Sequence, residues 1–188
     1  MVPAYALGTF PTAQIVASRA GVDVMASGSK NPGASNTFRT AGRKAGTIVF
    51  VVDIFKGVAP TLAGLVAGGR SLAMACGVAA FVGHTLPIQR RFRGGKGVAT
   101  AGGLAFGLYP LVALALILLW LGLTKVTRKA SIGSLAIVVL LPIGVAITGH
   151  RAWETTTIVV LSVVVIARHK DNIKRLMSRS ERDIAARS

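Results

Sequence analysis

The sequence predicts an all-α, polytopic integral membrane protein, a helix bundle of about seven transmembrane or partly spanning helices. Hydrophobic residues make up 52% of the 188 residues and charged residues only 15%, a balance that is unusual for a soluble domain. The apolar residues lie in long blocks, and the basic residues lie mostly between those blocks. Together these observations favour a single membrane domain, residues 1–188.

Seven apolar segments are predicted to form the helices. The first is short for a full span, and because no basic leader precedes it we interpret it as a membrane helix rather than a cleavable signal. The fourth rises only ~16 Å, too little to cross ~30 Å of hydrocarbon, so we expect it to begin inside the preceding glycine-rich motif or to re-enter the membrane. In chain order the segments are 2–16, 45–67, 72–88, 98–108, 111–123, 132–148 and 155–167.

The distribution of Lys and Arg predicts the orientation. If the seven segments alternate sides, one side receives all but three of the 22 basic residues. The positive-inside rule places that side in the cytoplasm, with the N-terminus outside and the C-terminus inside. A single helix over 98–123 would reduce the number of crossings by one and place the basic C-terminal tail outside, so we reject it. Residues 178–188 are expected to form a mobile basic tail.

Composition also excludes several functions. The net charge of +16 would suit nucleic acid, but aromatic residues reach only 6%, too few for base stacking. The apolar blocks instead indicate basic loops at an anionic membrane face. Cys76 is the only cysteine, so no internal disulfide is possible. The three histidines show no metal-ligand spacing, and we predict neither a metal site nor a cofactor.

Three segments at the ends of apolar blocks combine hydrogen-bonding side chains with cations, and the first two also contain glycines: 27–39, 92–100 and 168–176. Such segments offer backbone N–H groups and positive charge to phosphate. In the first motif, Pro32 and the glycines are expected to prevent a regular helix, although a turn with capping residues is an alternative. In the second, glycines surround Lys96 without the nucleotide P-loop spacing, and a simple basic membrane anchor is the alternative.

Ionisable residues inside apolar segments are costly and usually pair or serve function. Asp53 and Lys56 are three residues apart on one helix face, and we favour a structural ion pair over a catalytic role. His84 is interpreted as a structural hydrogen bonder or, alternatively, a base. The like charges beside His169 disfavour its protonated form, so it would serve as a neutral base or as a donor.

Six sequence elements, spread over nearly the whole chain, carry a family resemblance: Gly8-Thr9-Phe10-Pro11-Thr12-Ala13, residues 28–39, Asp53-x-x-Lys56-Gly57-x-x-Pro60, Gly83-His84-x-x-Pro87, residues 92–100, and Arg168-His169-x-x-Asn172-Ile173-x-Arg175-Leu176 with Glu181. They resemble the bacterial acyl-phosphate:glycerol-3-phosphate acyltransferases, membrane enzymes of phospholipid synthesis.

The resemblance implies transfer of a fatty acyl group from acyl phosphate to the sn-1 hydroxyl of glycerol 3-phosphate, with release of inorganic phosphate. It implies a multi-pass protein of the bacterial cytoplasmic membrane with a cytoplasmic active site. The implied partners are both substrates, membrane lipids and an enzyme that produces acyl phosphate. The implied catalytic residues are Ser29, Lys96, His169 and Asn172, and the substrate-binding residues are Asn31, Gly33, Ser35, Asn36, Arg39, His84, Gly94, Gly95 and Gly97.

Four departures from the family pattern keep other functions open. Lys30 and Arg179 stand where the family has glycine, Ser35 replaces threonine, and Gln89-Arg90-Arg91 replaces an apolar run. The alternatives are a divergent non-catalytic paralogue and a membrane binding or transport protein for a phosphorylated metabolite.

Overall fold

The computed structural model describes residues 1–184, and the described chain contains helices and no strands. The all-helical prediction is therefore confirmed. The helices are α1 (Val2–Thr9), α2 (Thr12–Ser18), α3 (Ala34–Thr85), α4 (Val98–Leu108), α5 (Pro110–Thr127), α6 (Ala130–Ile147), α7 (Ala152–Arg168) and α8 (Lys170–Met177), with a 3-10 turn at Ile88–Arg90.

The first apolar segment is two helices, not the one that was predicted. Phe10 leaves the helical conformation at φ −56° and ψ 125°, and α2 begins after Pro11. Proline lacks the N–H that a helix needs and excludes the preceding residue from the α region. This break leaves the carbonyl of Phe10 available to another partner.

Helix α3 contains the second and third predicted segments. Its backbone departs from helical angles at Gly42, with φ +88°, and again at Gly68 and Gly69, the latter with φ +73°. Glycine tolerates positive φ at little cost, which explains why the breaks fall there. The arm 43–67 rises ~37 Å and is long enough to cross a bilayer.

Helix α4 has the predicted bounds and begins within the second motif, directly after its last glycine. Gly97 has φ +89°, and the helix starts only at the next residue. Gly103 of α4 packs against the carbonyl of Ile54, and Gly57 of α3 packs against the carbonyl of Thr100. A Cβ at either glycine would overlap that backbone, so small residues allow the two helices to approach closely.

By its contacts, the described chain forms two compact units, Met1–Leu108 and Tyr109–Ile184. The single membrane domain over 1–188 stays a prediction. In the second unit α5, α6 and α7 lie close to their predicted bounds, and they begin a few residues earlier. Helix α8, which was not predicted, bends by 58° from α7. The junction at Tyr109, with φ −136° and ψ 59°, confirms that 98–123 is not one helix.

Residues 178–184 of the predicted mobile tail make specific contacts. Glu181 is buried and hydrogen-bonded, Asp183 pairs with Lys129, and the N–H of Ile184 donates to the carbonyl of Arg128 at 2.7 Å. These specific contacts hold this segment against its own unit. The remainder of the predicted tail, 185–188, lies outside the described residues.

By length and composition, three stretches of the described chain are suited to cross a membrane, and a fourth if α7 and α8 form one bent span. The three are Ala34–Arg90, Pro110–Thr127 and Ala130–Ile147. Helices α1, α2 and α4 are too short to cross alone, in keeping with the predicted partly spanning helices.

Candidate active site

The first motif is a loop that a single asparagine side chain holds in place. The Oδ1 of Asn36 accepts the N–H of Ser29 at 2.8 Å. Its Nδ2 donates to the carbonyls of Val24 and Ser27, both at 3.0 Å. Asn36 is buried, so these bonds are protected from water. The amide that the resemblance assigns to substrate binding is thus directed at its own loop.

The expectation that this motif avoids regular helix holds only as far as Gly33. Helix α3 begins at the next residue because Pro32 and Gly33, at φ −141°, precede the first turn. Ser35 and Arg39 are four residues apart and therefore share a face of α3. The first turn directs backbone N–H groups and the positive end of the helix dipole out of the helix, a suitable arrangement for an anion.

Two residues of the first motif have left-handed backbone angles. Gly28 has φ +60°, and a Cβ there would overlap Oδ1 of Asn36. Lys30 has φ +55° and is exposed. The glycine expected at position 30 is therefore explained by backbone geometry, and this chain accepts strain to place a lysine there.

The second motif packs against the end of α3. The N–H of Gly95 donates to the carbonyl of His84 at 3.1 Å. A Cβ on Gly95 would overlap Nε2 of His84, and one on Gly94 would overlap the carbonyls of His84 and Thr85. A Cβ on Gly97 would overlap the ring of Phe81. Close packing therefore requires glycine at positions 94, 95 and 97, and Lys96 lies between the second and the third of them.

A buried ionic cluster lies beside this loop. Lys56 Nζ donates to Asp53 Oδ1 at 2.7 Å and to the carbonyl of Phe10 at 2.8 Å. His84 Nδ1 lies 3.7 Å from the same carboxylate oxygen. The favoured interpretation of Asp53 and Lys56 as an ion pair thus agrees with the observed geometry. His84 connects this pair to the loop Gly94–Gly97, called the glycine loop below.

The first and second motifs approach each other at this cluster. Pro32 and Gly95 line one cavity of about 10 Å³. Thr12 also lines it, and its buried hydroxyl has no hydrogen-bond partner among the described residues. The other lining residues are Phe10, Ala13, Asp53, Lys56, His84 and Arg90.

The segment Gln89-Arg90-Arg91 has a structural role that the sequence did not indicate. Arg90 donates to the carbonyl of Thr9 at 2.9 Å and to Oε1 of Gln14 at 2.7 Å. Gln89 donates to the hydroxyl of Thr9 at 3.2 Å. The polar residues that replace the family's apolar run therefore fasten this turn to the break between α1 and α2.

The third motif lies in the second unit. His169 is buried and its Nδ1 lies 2.8 Å from the carbonyl of Val165. Asn172 Nδ2 donates to Oε1 of Glu181 at 2.7 Å, and Arg175 Nε donates to Oε2 at 2.8 Å. Glu181 therefore orients the asparagine and the arginine of the motif together.

The described residues contain no group of three or more His, Cys, Asp or Glu side chains that is suited to hold a metal ion. The fold and these motifs define a helical, multi-pass membrane protein whose glycine-and-cation loops suit a phosphorylated ligand.

Comparison with known proteins agrees with this class. Residues 1–179 match the family model described as glycerol-3-phosphate acyltransferase. A glycerol-3-phosphate acyltransferase from Geobacter sulfurreducens is 39% identical over 179 residues, which cover 95% of this chain and 92% of the relative. The chain belongs to the glycerol-3-phosphate acyltransferase family.

Two solved structures share the fold. One is the glycerol 3-phosphate form of PlsY (YgiH), an integral membrane glycerol 3-phosphate acyltransferase, with a TM-score of 0.92 and 34% identity. The alignment covers 97% of this chain and 92% of that one. The other is the lysophosphatidic acid form, with a TM-score of 0.88, 35% identity, and coverage of 96% and 91%. The predicted membrane fold and family are thereby confirmed.

Proposed function

We propose that this protein acylates the sn-1 hydroxyl of glycerol 3-phosphate in phospholipid synthesis, and that the acyl donor is a fatty acyl phosphate. The products are 1-acyl-glycerol 3-phosphate and inorganic phosphate. Family membership supports the acceptor and the reaction class. The acyl phosphate donor follows the family resemblance of the sequence elements, and two motifs with the character of phosphate sites support it.

The chemistry requires little beyond positioning. The hydroxyl oxygen attacks the acyl carbonyl carbon, the bond from that carbon to the phosphate oxygen breaks, and phosphate leaves with the electron pair. The hydroxyl proton passes to a nearby base or to a substrate phosphate. Because acyl phosphate is already activated, the protein must hold two phosphates, orient one hydroxyl and stabilise developing negative charge.

Each motif has a role in this proposal. Lys96 and backbone N–H groups of the Gly94–Gly97 loop, other than that of Gly95, which donates to His84, would hold the leaving phosphate. Arg39 and the first turn of α3 at Ser35 would hold glycerol phosphate. Asn36, whose N–H donates to the carbonyl of Gly33 at 3.1 Å and whose amide is directed at its own loop, would support that turn. The remaining assignments follow the resemblance: Asn31 and Gly33 bind substrate at the first motif, and Ser29, His169 and Asn172 lie at the hydroxyl. His84, a substrate-binding residue by the resemblance, lies behind the Gly94–Gly97 loop in this structure.

One observation carries the proposal. The glycine loop has no room for any Cβ at Gly94, Gly95 or Gly97, and it lies directly before the N-terminus of α4. A lysine between glycines that are packed against the end of α3, directly before a helix N-terminus, is an arrangement that suits an anion more than a simple membrane anchor.

The test uses purified protein in nanodiscs with palmitoyl phosphate and glycerol 3-phosphate, and it measures phosphate release and lysophosphatidate together. We expect the two products in a 1:1 ratio, and no product when palmitoyl-CoA replaces the acyl phosphate. Lys96→Ala should lose activity by about 100-fold or more, because a charge-assisted contact to the reacting phosphate is removed. The matched control is Lys44→Ala, which removes an exposed lysine of α3 and should keep the wild-type rate.

Wild-type turnover by Lys96→Ala would overturn the role of the loop. Well-folded protein that binds glycerol 3-phosphate without forming product would instead favour the non-catalytic paralogue or the binding and transport alternative.

The orientation is part of the proposal. We infer that the three motifs face the cytoplasm, with the N-terminus outside, because the loops that hold them carry most of the Lys and Arg residues. In a Cys76→Ser background, the cysteine introduced by Lys125→Cys should react with an impermeant maleimide only in inside-out vesicles. Reaction of that cysteine in right-side-out vesicles would reverse the orientation.

A further inference from the structure

The buried Asp53–Lys56 pair needs a further explanation, because it is expensive where it lies. Both side chains are less than 5% exposed, on a helix whose composition suits a membrane. Burying two charges costs free energy that their attraction often fails to recover, so an ion pair is a poor way to gain stability alone. Lys56 also donates to the carbonyl of Phe10, which joins the pair to the break between α1 and α2.

His84 connects this pair to the glycine loop. Its Nδ1 lies 3.7 Å from Asp53 Oδ1, which is longer than a hydrogen bond but close enough for the carboxylate to attract an N–H at Nδ1. The opposite edge of its ring, at Nε2, lies against Gly95, and its carbonyl accepts the N–H of the same glycine. The imidazole therefore separates the carboxylate from the backbone of the loop. Rotation of the His84 ring would either displace Gly95 or break the contact between Nδ1 and Asp53 Oδ1.

We propose that Asp53 and His84 are positioning residues for the Gly94–Gly97 loop. The carboxylate of Asp53, itself fixed by Lys56, sets the orientation of the His84 ring, and the ring sets the position of the loop backbone. His84 acts here from behind the loop and not through contact with substrate. This inference rests on the proposed function, in which the loop holds the phosphate of the acyl phosphate.

The experiment separates positioning from stability by removing the buried charges one at a time and together. Asp53→Asn leaves the charge of Lys56 without its partner, so the thermal midpoint should fall. The double variant Asp53→Asn/Lys56→Met removes both charges and should recover most of that stability. The KM for palmitoyl phosphate should nevertheless stay about tenfold above wild type in the double variant, because His84 has lost its anionic partner.

Two further variants complete the test. His84→Leu, which leaves no unpaired buried charge, should raise the same KM by a similar factor, with the KM for glycerol 3-phosphate within about twofold of wild type. Combined with the double variant it should add little, since the residues act as one unit. The matched control is Glu154→Gln, the same carboxylate-to-amide change at a buried position in the other unit, and it should leave both KM values unchanged.

The outcomes distinguish this inference from the proposed function. If the double variant recovers both stability and a wild-type KM, the pair is structural only and the positioning role is overturned. If His84→Leu has a wild-type KM, the role is overturned independently of how the double variant folds. A Lys96→Ala protein with wild-type turnover would overturn the function of the loop itself, whatever the values for Asp53 and His84.

Discussion

The Oδ1 of Asn36, on the first turn of α3, accepts the N–H of Ser29 at 2.8 Å. The same amide donates to two carbonyls of the preceding chain, so one buried side chain sets the shape of the loop that carries Ser29. The position of a candidate catalytic serine thus depends on a residue seven positions further along the chain.

Replacing Asn36 by Ala should unfold this loop locally. Three hydrogen bonds are lost in a buried site, and we expect a decrease of about 2–4 kcal/mol in the free energy of unfolding together with a large loss of activity. Thermal unfolding in detergent and product formation measure the two effects. Thr47→Ala, which removes an exposed helical hydroxyl of α3, is the control and should change neither. An Asn36→Ala protein with wild-type activity would show that the loop needs no such support.

Gly95→Ala should damage the second motif, because the new methyl group would overlap His84 Nε2. We expect a loss of about 1–3 kcal/mol in stability from overpacking and a clear decrease in kcat/KM for palmitoyl phosphate. Gly102→Ala is the matched control: it lies on α4, and a Cβ there meets nothing within 4 Å. It should increase stability by up to about 1 kcal/mol, since alanine is the better helix former. Equal changes in stability and in kcat/KM for the two variants would contradict the close contact between Gly95 and His84.

Lys30→Gly should stabilise the first motif by about 0.5–1 kcal/mol. Lysine at φ +55° carries backbone strain that glycine avoids, and the greater freedom of glycine in the unfolded chain offsets part of that gain. Lys30→Ala removes the charge but retains the strain and should give no gain. Arg179, also at φ +55°, allows the same comparison in the other unit. The thermal midpoints of these variants measure the effect. If Lys30→Ala raised the midpoint as much as Lys30→Gly, the gain would come from removal of the charge and not from relief of backbone strain.

Glu181→Ala should disable the third motif. Its carboxylate accepts bonds from Asn172 and Arg175 in a buried setting, and its loss leaves those donors without this partner. We expect a decrease of about 2–4 kcal/mol in stability and a loss of turnover. Asp183→Asn is the control, because it weakens a partly exposed pair with Lys129 that should contribute little. Comparable effects of the two substitutions on activity would remove the special role of Glu181.

The predictions that succeeded rest on local signals. Long apolar blocks predict membrane helices because every backbone group in a bilayer must be paired within the helix, and the bounds of α4 and α6 follow directly. The three motifs were found for a similar reason: cations beside glycines or hydrogen-bonding side chains in one short segment have chemical meaning before any fold is known. Pro11 was visible in the sequence, yet the break it causes between α1 and α2 was not predicted.

The contacts that make the motifs into candidate sites join residues far apart in the chain. Arg90 reaches Thr9 and Gln14, and His84 lies between Asp53 and Gly95; no periodicity or spacing encodes these pairings. The sequence by itself determined the membrane class, the family and the candidate residues for phosphate binding, because composition and short motifs are local properties. Only the tertiary structure decided that Asn36 supports its own loop, that Asp53 reaches the glycine loop through His84, and that Lys30 and Arg179 occupy left-handed positions. Those facts depend on which buried groups meet when the helices pack, and packing is a property of the whole chain.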